Sequence, residues 1–348
     1  MKTLGYLFFK AWVSLGLFFY YKKVRVVGVE NIPKNRPVLF LSNHQNALLD
    51  IFLIATKCRR KPWYLTRADV FKSILFRPLF SFLQMLPIYR IRDGRSSLNK
   101  NKEIFAKCAQ LLINDEAILL FPEANHSLKR KVRPLSKGFT RILEDALEKD
   151  PRLDIQIVTV GQNYQSPTEA GDSSALYFGK AIAVNDHWDK PNKIESLRQA
   201  VSKSLQQLTT HIKEEDYERT LSLLEQNSTN FLFPKEINKA LIKSDFTGLP
   251  RFQTNPISRS FKIIFYITNF PMVFVWRTIL KPKVPEPEFM ATFRFGFVLL
   301  GYPFFYLLIL FVLPFFATEK TALTIVVGHA VLNLLLVKIG LTSSHQRK

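Results

Sequence analysis

The chain has 348 residues, 47% of them hydrophobic, with 31 Phe and a net charge of +21. That length is ample for a sizeable core and excludes a single small domain. The charge calls for an anionic partner, either nucleic acid, an anionic bilayer or a phosphorylated small molecule, and the long apolar runs near the C-terminus select the bilayer. Cys58 and Cys108 form no ligand cluster with His, so neither a zinc site nor a structural disulfide is expected. Such cysteine usage suits a reducing, cytosol-facing domain.

Residues 4–21 are nearly all apolar, with Lys10 inside the run and Lys22-Lys23 after it. No small-x-small cleavage site follows, which argues against a signal peptide. The run is just long enough to span, but its many aromatics suit the headgroup boundary. It is read as a membrane-associated helix lying in or shallowly inserted into the interface, forming a first segment over residues 1–23.

Residues 24–29 alternate as a strand, and the 31–37 stretch turns the chain. Val38-Leu39-Phe40-Leu41 reads as a buried strand. It runs straight into Ser42-Asn43-His44-Gln45-Asn46, and a helix is expected over 46–57. Asn46 is the expected N-cap, which places Asp50 early in the helix, where the dipole favours its ionised form. A His at the end of a buried strand with an acid one turn into the next element can serve as a general base held in one tautomer. The competing reading is that His44 closes a strand and Asp50 is a surface acid.

Farther along, 63–66 reads as a strand, 97–114 as a helix, 117–121 as a strand, 136–149 as a helix and 155–160 as a strand. A polar loop over 161–174 and a late strand over 176–184 follow. One long amphipathic helical region covers 194–224. Strands alternating with helices argue an α/β fold with a mixed, largely parallel sheet flanked by helices. The apolar stretch 71–86 is broken by Pro78 and fits a membrane-facing segment, a tunnel wall or a buried helix hairpin.

Beyond residue 257 the composition changes. The apolar run 263–276 is broken by Pro271, which fits a re-entrant or in-plane element, and residues 281–288 form a linker. Residues 295–317 carry no charge and are long enough to span, and 321–338 makes a second candidate span. Joined by a short turn, the two form a transmembrane hairpin with both outer ends on one side. Lys281, Lys283, Arg294, Lys338, Arg347 and Lys348 flank those ends and place that side, and the catalytic domain, in the cytoplasm. The expected organisation is therefore a membrane-associated helix over 1–23, a domain over 24–256 with a helical extension at 190–245, and a membrane region over 257–348.

Two further stretches carry chemistry. Phe121-Pro122-Glu123-Ala124-Asn125-His126-Ser127 ends a strand and runs into a basic stretch holding Lys129, Arg130 and Lys137. Ligands of α/β sheets collect at the carboxyl ends of strands, and the helix start near Ser136 offers backbone N–H donors. Glu123 could hold an acceptor hydroxyl and the cations a phosphate. Read without that context, the run is a solvated or nucleic-acid-binding face. The other stretch, Leu86-Pro87-Ile88-Tyr89-Arg90-Ile91-Arg92, is an apolar strand closing in Arg. An Arg fork meets two phosphate oxygens at once, but a strand-edge Arg is also common.

Taken in order, these blocks resemble the glycerolipid acyltransferases of the PlsC type, which include lysophosphatidate and glycerol-3-phosphate acyltransferases. Asn43-His44 followed by Asp50 is similar to the catalytic block, with five intervening residues where the family usually has four. Residues six apart do not share a helix face, so His44 is expected in the loop before the helix, with Asp50 reaching back to it. Leu86 to Arg92 resembles the second block, with Arg92 in the Arg position and Arg90 an extra cation. Phe121, Pro122, Glu123 and Ser127 match Phe-Pro-Glu-Gly-Thr-Arg-Ser, and His126 stands where the family has its phosphate-binding Arg. Lys129, Arg130 or Lys137 would then supply the missing charge. Ile157-Val158-Thr159-Val160-Gly161 resembles the fourth block.

The resemblance spans residues 24–185. It implies a membrane-bound O-acyltransferase with His44 as base and Asp50 orienting it. The acyl donor would be acyl-CoA or acyl-carrier protein as co-substrate, with no other cofactor. The acceptor would be 1-acylglycerol-3-phosphate first, then glycerol-3-phosphate or another lysolipid. Partners would be the bilayer and these substrates, and no nucleic acid. An alternative of another class is a non-catalytic basic protein binding anionic lipid or nucleic acid.

Overall fold

In the computed structural model, which describes residues 2–72, 80, 82–89, 95–252 and 258–339, an eight-stranded sheet organises the chain. Its strands are β1 (Lys23–Val27), β2 (Val38–Ser42), β3 (Trp63–Arg67), β4 (Met85–Ile88), β5 (Ala117–Leu120), β6 (Gln156–Tyr164), β7 (Ser173–Phe178) and β8 (Ile182–Ala183). Their order is β1-β7-β6-β2-β5-β3-β4, with β8 also paired to β6. The run β6-β2-β5-β3-β4 is parallel throughout, while β7 and β8 pair antiparallel with β6. The expected mixed, largely parallel sheet is the observed one.

Parallel neighbours need crossovers, and three helices supply them in the central part: α2 (Ala47–Lys57), α3 (Arg95–Ile113) and α4 (Gly138–Lys149). Both faces of the sheet are covered, which is why β2 reads as an unbroken apolar run. Val38 and Phe40 point to one layer, with α1 (Lys2–Tyr20) and α2. Leu39 and Leu41 point to the other, with α3, α4 and α5 (Lys193–Leu208). The parallel register sets the carboxyl ends of β2, β5 and β6 side by side, so the residues after Ser42 and Leu120 meet at one edge beside Tyr164.

The single helical region expected over 194–224 is two helices, α5 and α6 (Tyr217–Gln226). The break between them is used: Asn163 Nδ2 donates to the Leu208 carbonyl, and His211 Nδ1 accepts from the Val132 backbone N–H. Gly161 permits this approach, since a Cβ there would lie 2.3 Å from the Leu208 carbonyl oxygen. Helix α7 (Pro234–Lys243) closes a small separate core with α6 around Phe231.

The C-terminal region holds α8 (Ser258–Thr268), α9 (Phe270–Val275), α10 (Met290–Val312) and α11 (Glu319–Ile339). Residues Pro287–Phe315 and Glu319–Ile339 are each long and apolar enough to cross a bilayer. The first begins eight residues before the expected 295–317, and the break between the two is confined to 316–318. The segments Ser260–Thr268 and Phe270–Lys283 meet at a 90° bend. Asn269 pins the bend: its side chain exchanges hydrogen bonds of 2.8 and 3.0 Å with Asn333 of α11.

The foot of α10 packs into the domain. Ala291 and Phe295 are both 1% exposed and belong to the core cluster of α1 and α2, with Phe295 edge-on to Tyr20. Lys338 of α11 donates to the carbonyls of Phe18 and Tyr21 at the end of α1, where its charge complements the helix dipole.

Candidate active site

His44 leaves the end of β2 in the loop ahead of α2, as the six-residue separation requires. Its Nδ1 lies 2.8 Å from Asp50 Oδ2. Asp50 is fully buried and accepts four hydrogen bonds. Oδ2 takes those from His44, from Gln45 N and from Asn46 N, and Oδ1 takes that of the Tyr164 hydroxyl. Four donors hold the carboxylate in place, and its Oδ2 beside the ring assigns the His44 proton to Nδ1. Nε2 is left as the basic nitrogen.

Ala47 opens α2 with φ of +43°. A left-handed alanine is uncommon and costs on the order of 1–3 kcal/mol. The Asp50 hydrogen bonds to Gln45 N and Asn46 N hold it there. Asn46 occupies the N-cap position, but its side chain does not cap: Nδ2 donates to the Pro167 carbonyl. Asp50 reaches back to the Asn46 N–H instead, in the manner of a capping box. Expecting Asn46 to cap overlooked that competitor.

The third block closes over the same edge. The Ser127 N–H donates to the His44 carbonyl at 2.9 Å, and the His44 ring stacks on Phe121 with centroids 3.8 Å apart. These contacts fix the imidazole plane. Ser42 is buried and donates to the Val160 carbonyl, so its hydroxyl packs the sheet. Asn43 bridges to β6, donating to the Gln162 carbonyl and accepting from its N–H.

Glu123 lies at this edge but faces Arg133. It accepts from Arg133 N, Nε and Nη2 at 3.1, 3.1 and 2.8 Å. Burial raises its pKa against the pull of Arg133. A carboxylate so engaged shapes the loop. Arg130 is likewise spent: it donates to the Tyr164 and Gln165 carbonyls and lies on the Phe231 ring. Burial lowers its pKa to about 10, which leaves it charged at neutral pH. Through those bonds Arg130 holds the end of β6. Lys129 pairs with Glu214 at 2.7 Å, while Lys137 is exposed at the start of α4. Arg90 and Arg92 follow β4 but lie outside the described residues.

His126 sits beside His44, with ring centroids 5.7 Å apart. Burial first, and then the nearby His44, hold its pKa below the ordinary histidine value. Its neighbours come from the linker before α10: Glu286 at 3.6 Å from Nδ1, and Phe289 edge-on at 4.7 Å. Glu288 completes a group with ligand atoms within 4.8 Å of one another. The position where the family carries an Arg is thus faced here by two carboxylates.

Sequence reasoning missed four participants. Tyr164 fell within the stretch expected as a polar loop, Gly161-Gln162-Asn163-Tyr164, which is the end of β6. Glu286 and Phe289 lie far along the chain. So does Thr292, whose hydroxyl donates to the Asn46 carbonyl and accepts from the Leu49 N–H. Thr292→Val should remove both contacts, leaving the 3.0 Å bond from the Leu49 N–H to the Asn46 carbonyl, and cost about 0.5–1.5 kcal/mol. A lowered unfolding midpoint and slower turnover in the full-length protein would register it.

Comparison with known proteins adds the following. The acyltransferase family model matches residues 23–162. A 1-acyl-sn-glycerol-3-phosphate acyltransferase of Chlamydomonas reinhardtii is 29% identical over 190 residues, covering 53% of this chain and 53% of that protein. Glycerol-3-phosphate O-acyltransferase 1 of Saccharomyces cerevisiae is 24% identical over 157 residues, or 40% of this chain and 20% of that protein. The crystal structure of the 1-acyl-sn-glycerophosphate acyltransferase PlsC from Thermotoga maritima aligns at 18% identity over 52% of this chain and 69% of that one, with a TM-score of 0.38. The chain spans about half the length, or less, of the curated relatives it matches.

Proposed function

We propose, on the premise that residues 23–162 are a domain of the acyltransferase family, that the chain transfers a fatty acyl group from a thioester to a hydroxyl of a glycerophospholipid precursor. The observation that carries this reading is the His44–Asp50 pair at the carboxyl edge of the sheet, with Nε2 left basic. In the reaction, Nε2 removes the acceptor hydroxyl proton as oxygen attacks the thioester carbonyl carbon. Asp50 stabilises the imidazolium that forms. The carbon–sulfur bond then breaks, and the departing thiolate takes the proton back from His44. No covalent acyl-enzyme is required.

The donor is acyl-CoA or acyl-carrier protein. The first acceptor is 1-acylglycerol-3-phosphate, in keeping with the Chlamydomonas relative's name. The working position is the membrane, held by α10 and α11, with the domain on the cytoplasmic side where the flanking cations gather. Because Arg130 and Lys129 are engaged elsewhere, a phosphate falls to Arg92, with Arg90 and Lys137 in support. A second acceptor class is favoured by one observation: Glu286 and Glu288 beside His126, with the Phe289 ring, suit a cationic headgroup better than a phosphate monoester.

Steady-state kinetics with 1-acylglycerol-3-phosphate and with a lysophospholipid bearing an ammonium headgroup separates the two. For a phosphate monoester, Arg92→Ala should raise KM by roughly 10–100-fold, the loss of a contact worth about 1.5–3 kcal/mol. Arg92→Lys should rescue only in part. If Arg92→Ala leaves that KM unchanged while Glu286→Gln weakens the ammonium acceptor, the second class is the substrate.

A further inference from the structure

We propose that the cavity between α1 and the C-terminal helices binds an anionic phospholipid of the surrounding bilayer, at a site separate from acyl transfer. The cavity has a volume of about 590 Å³, within the range of small-molecule sites. Its lining includes none of His44, Asp50, Glu123 or His126. The proposal therefore does not depend on the reaction assigned to those residues.

Two features of the walls define the occupant. The first is an apolar interior contributed by separate elements, among them Leu15 of α1, Phe265 of α8, Met272 of α9 and Phe297 of α10. That interior suits an acyl chain and excludes free phosphate as a stable guest. The second is a set of cations on the same lining: Lys262, Arg277, Lys281 and Arg294, against the single carboxylate of Glu169. Arg294 is occupied by the Thr168 carbonyl at 2.9 Å and by Glu169 at 3.6 Å. Lys262, Arg277 and Lys281 have no carboxylate partner among the described residues.

Aromatic rings accompany these cations. Arg277 lies 4.6 Å from the Tyr266 ring centroid, and Arg294 lies 5.1 Å from that of Trp276. Cations mixed with Trp and Tyr mark the level of lipid headgroups, where long side chains extend their charge to the interface. A basic pocket between apolar helices favours a lipid phosphate, and the net positive lining favours an anionic lipid over a zwitterionic one. The large exposed apolar side chains on α10 and α11, Phe304 and Phe311 among them, supply the adjoining lipid-facing surface. A chain in the cavity would fill the space between α1 and α10, the two helices that frame the buried Phe295.

Native mass spectrometry of the full-length protein, exchanged from detergent into defined lipid, tests this. The probes are phosphatidylglycerol and phosphatidylcholine with identical acyl chains. The parent should retain phosphatidylglycerol at least about tenfold better, as expected for charge-assisted contacts. Arg277→Ala combined with Lys281→Ala should abolish that preference. Ala330→Phe, which places a ring in the cavity, should reduce retention of both lipids. Equal retention of the two lipids by the parent overturns the proposal. So does unchanged preference after removal of the two cations. If Ala330→Phe retains lipid as the parent does while remaining folded by its unfolding midpoint, the lipid binds elsewhere and the cavity assignment is wrong.

Discussion

His44→Ala protein should fold as the parent does and transfer acyl groups at least ~10²-fold more slowly, with losses up to ~10⁴-fold in reach for a lost general base. The fold should survive because His44 contributes one hydrogen bond to Asp50 and one ring face to Phe121, and the core clusters do not include it. Asp50 retains its bonds from Gln45, Asn46 and Tyr164 in the variant. The loss should fall on kcat, since proton removal occurs only as the bond forms. Rates and unfolding midpoints of parent and variant, measured side by side, distinguish a chemical defect from a folding one.

Asp50→Asn should reduce kcat comparably, by roughly 10²–10⁴-fold, because an amide can present its NH₂ to His44 and favour the wrong tautomer. This variant should also lose stability, which His44→Ala should not. Asp50 is fully buried and its two oxygens satisfy four donors, among them two backbone N–H groups that hold the Ala47 turn. An amide has one acceptor oxygen, so at least one donor becomes unpaired at about 1–3 kcal/mol. Tyr164→Phe separates the two effects. It removes the donor to Oδ1 and leaves the His44 contact in place, so its kcat should stay closer to that of the parent.

Much of this arrangement was legible in the chain, for local reasons. β2 and β5 are buried on both faces, and a continuous apolar run reports that directly. The loop position of His44 followed from the impossibility of placing residues six apart on one helix face. What was not legible depends on contacts between distant stretches. β6 extends to Tyr164 because Gln162 and Asn163 are satisfied by Asn43 and Leu208, and a polar tripeptide gives no periodicity from which to infer that. Glu123 and Arg130 read as free charges because their partners, Arg133 and the Tyr164 and Gln165 carbonyls, are set by loop geometry.

The C-terminal region posed the same difficulty more strongly. Its hydropathy announced two candidate spans, but not that Thr292 would hold the loop after His44 across 246 positions of sequence. Nor did hydropathy show that Phe289 would lie against His126. The two candidate spans and the wall beside His126 are contributed by one continuous stretch.

Direct attack by the acceptor on the thioester is the central claim, and intact-protein mass spectrometry with thiol detection tests it most directly. Purified full-length protein given acyl-CoA alone should release no thiol beyond slow hydrolysis and should keep its mass. Adding 1-acylglycerol-3-phosphate should start thiol release in step with formation of the diacyl product, and His44→Ala should suppress both by at least ~10²-fold. A stoichiometric burst of thiol with an acyl adduct on the protein, or equal product from His44→Ala, would contradict the account.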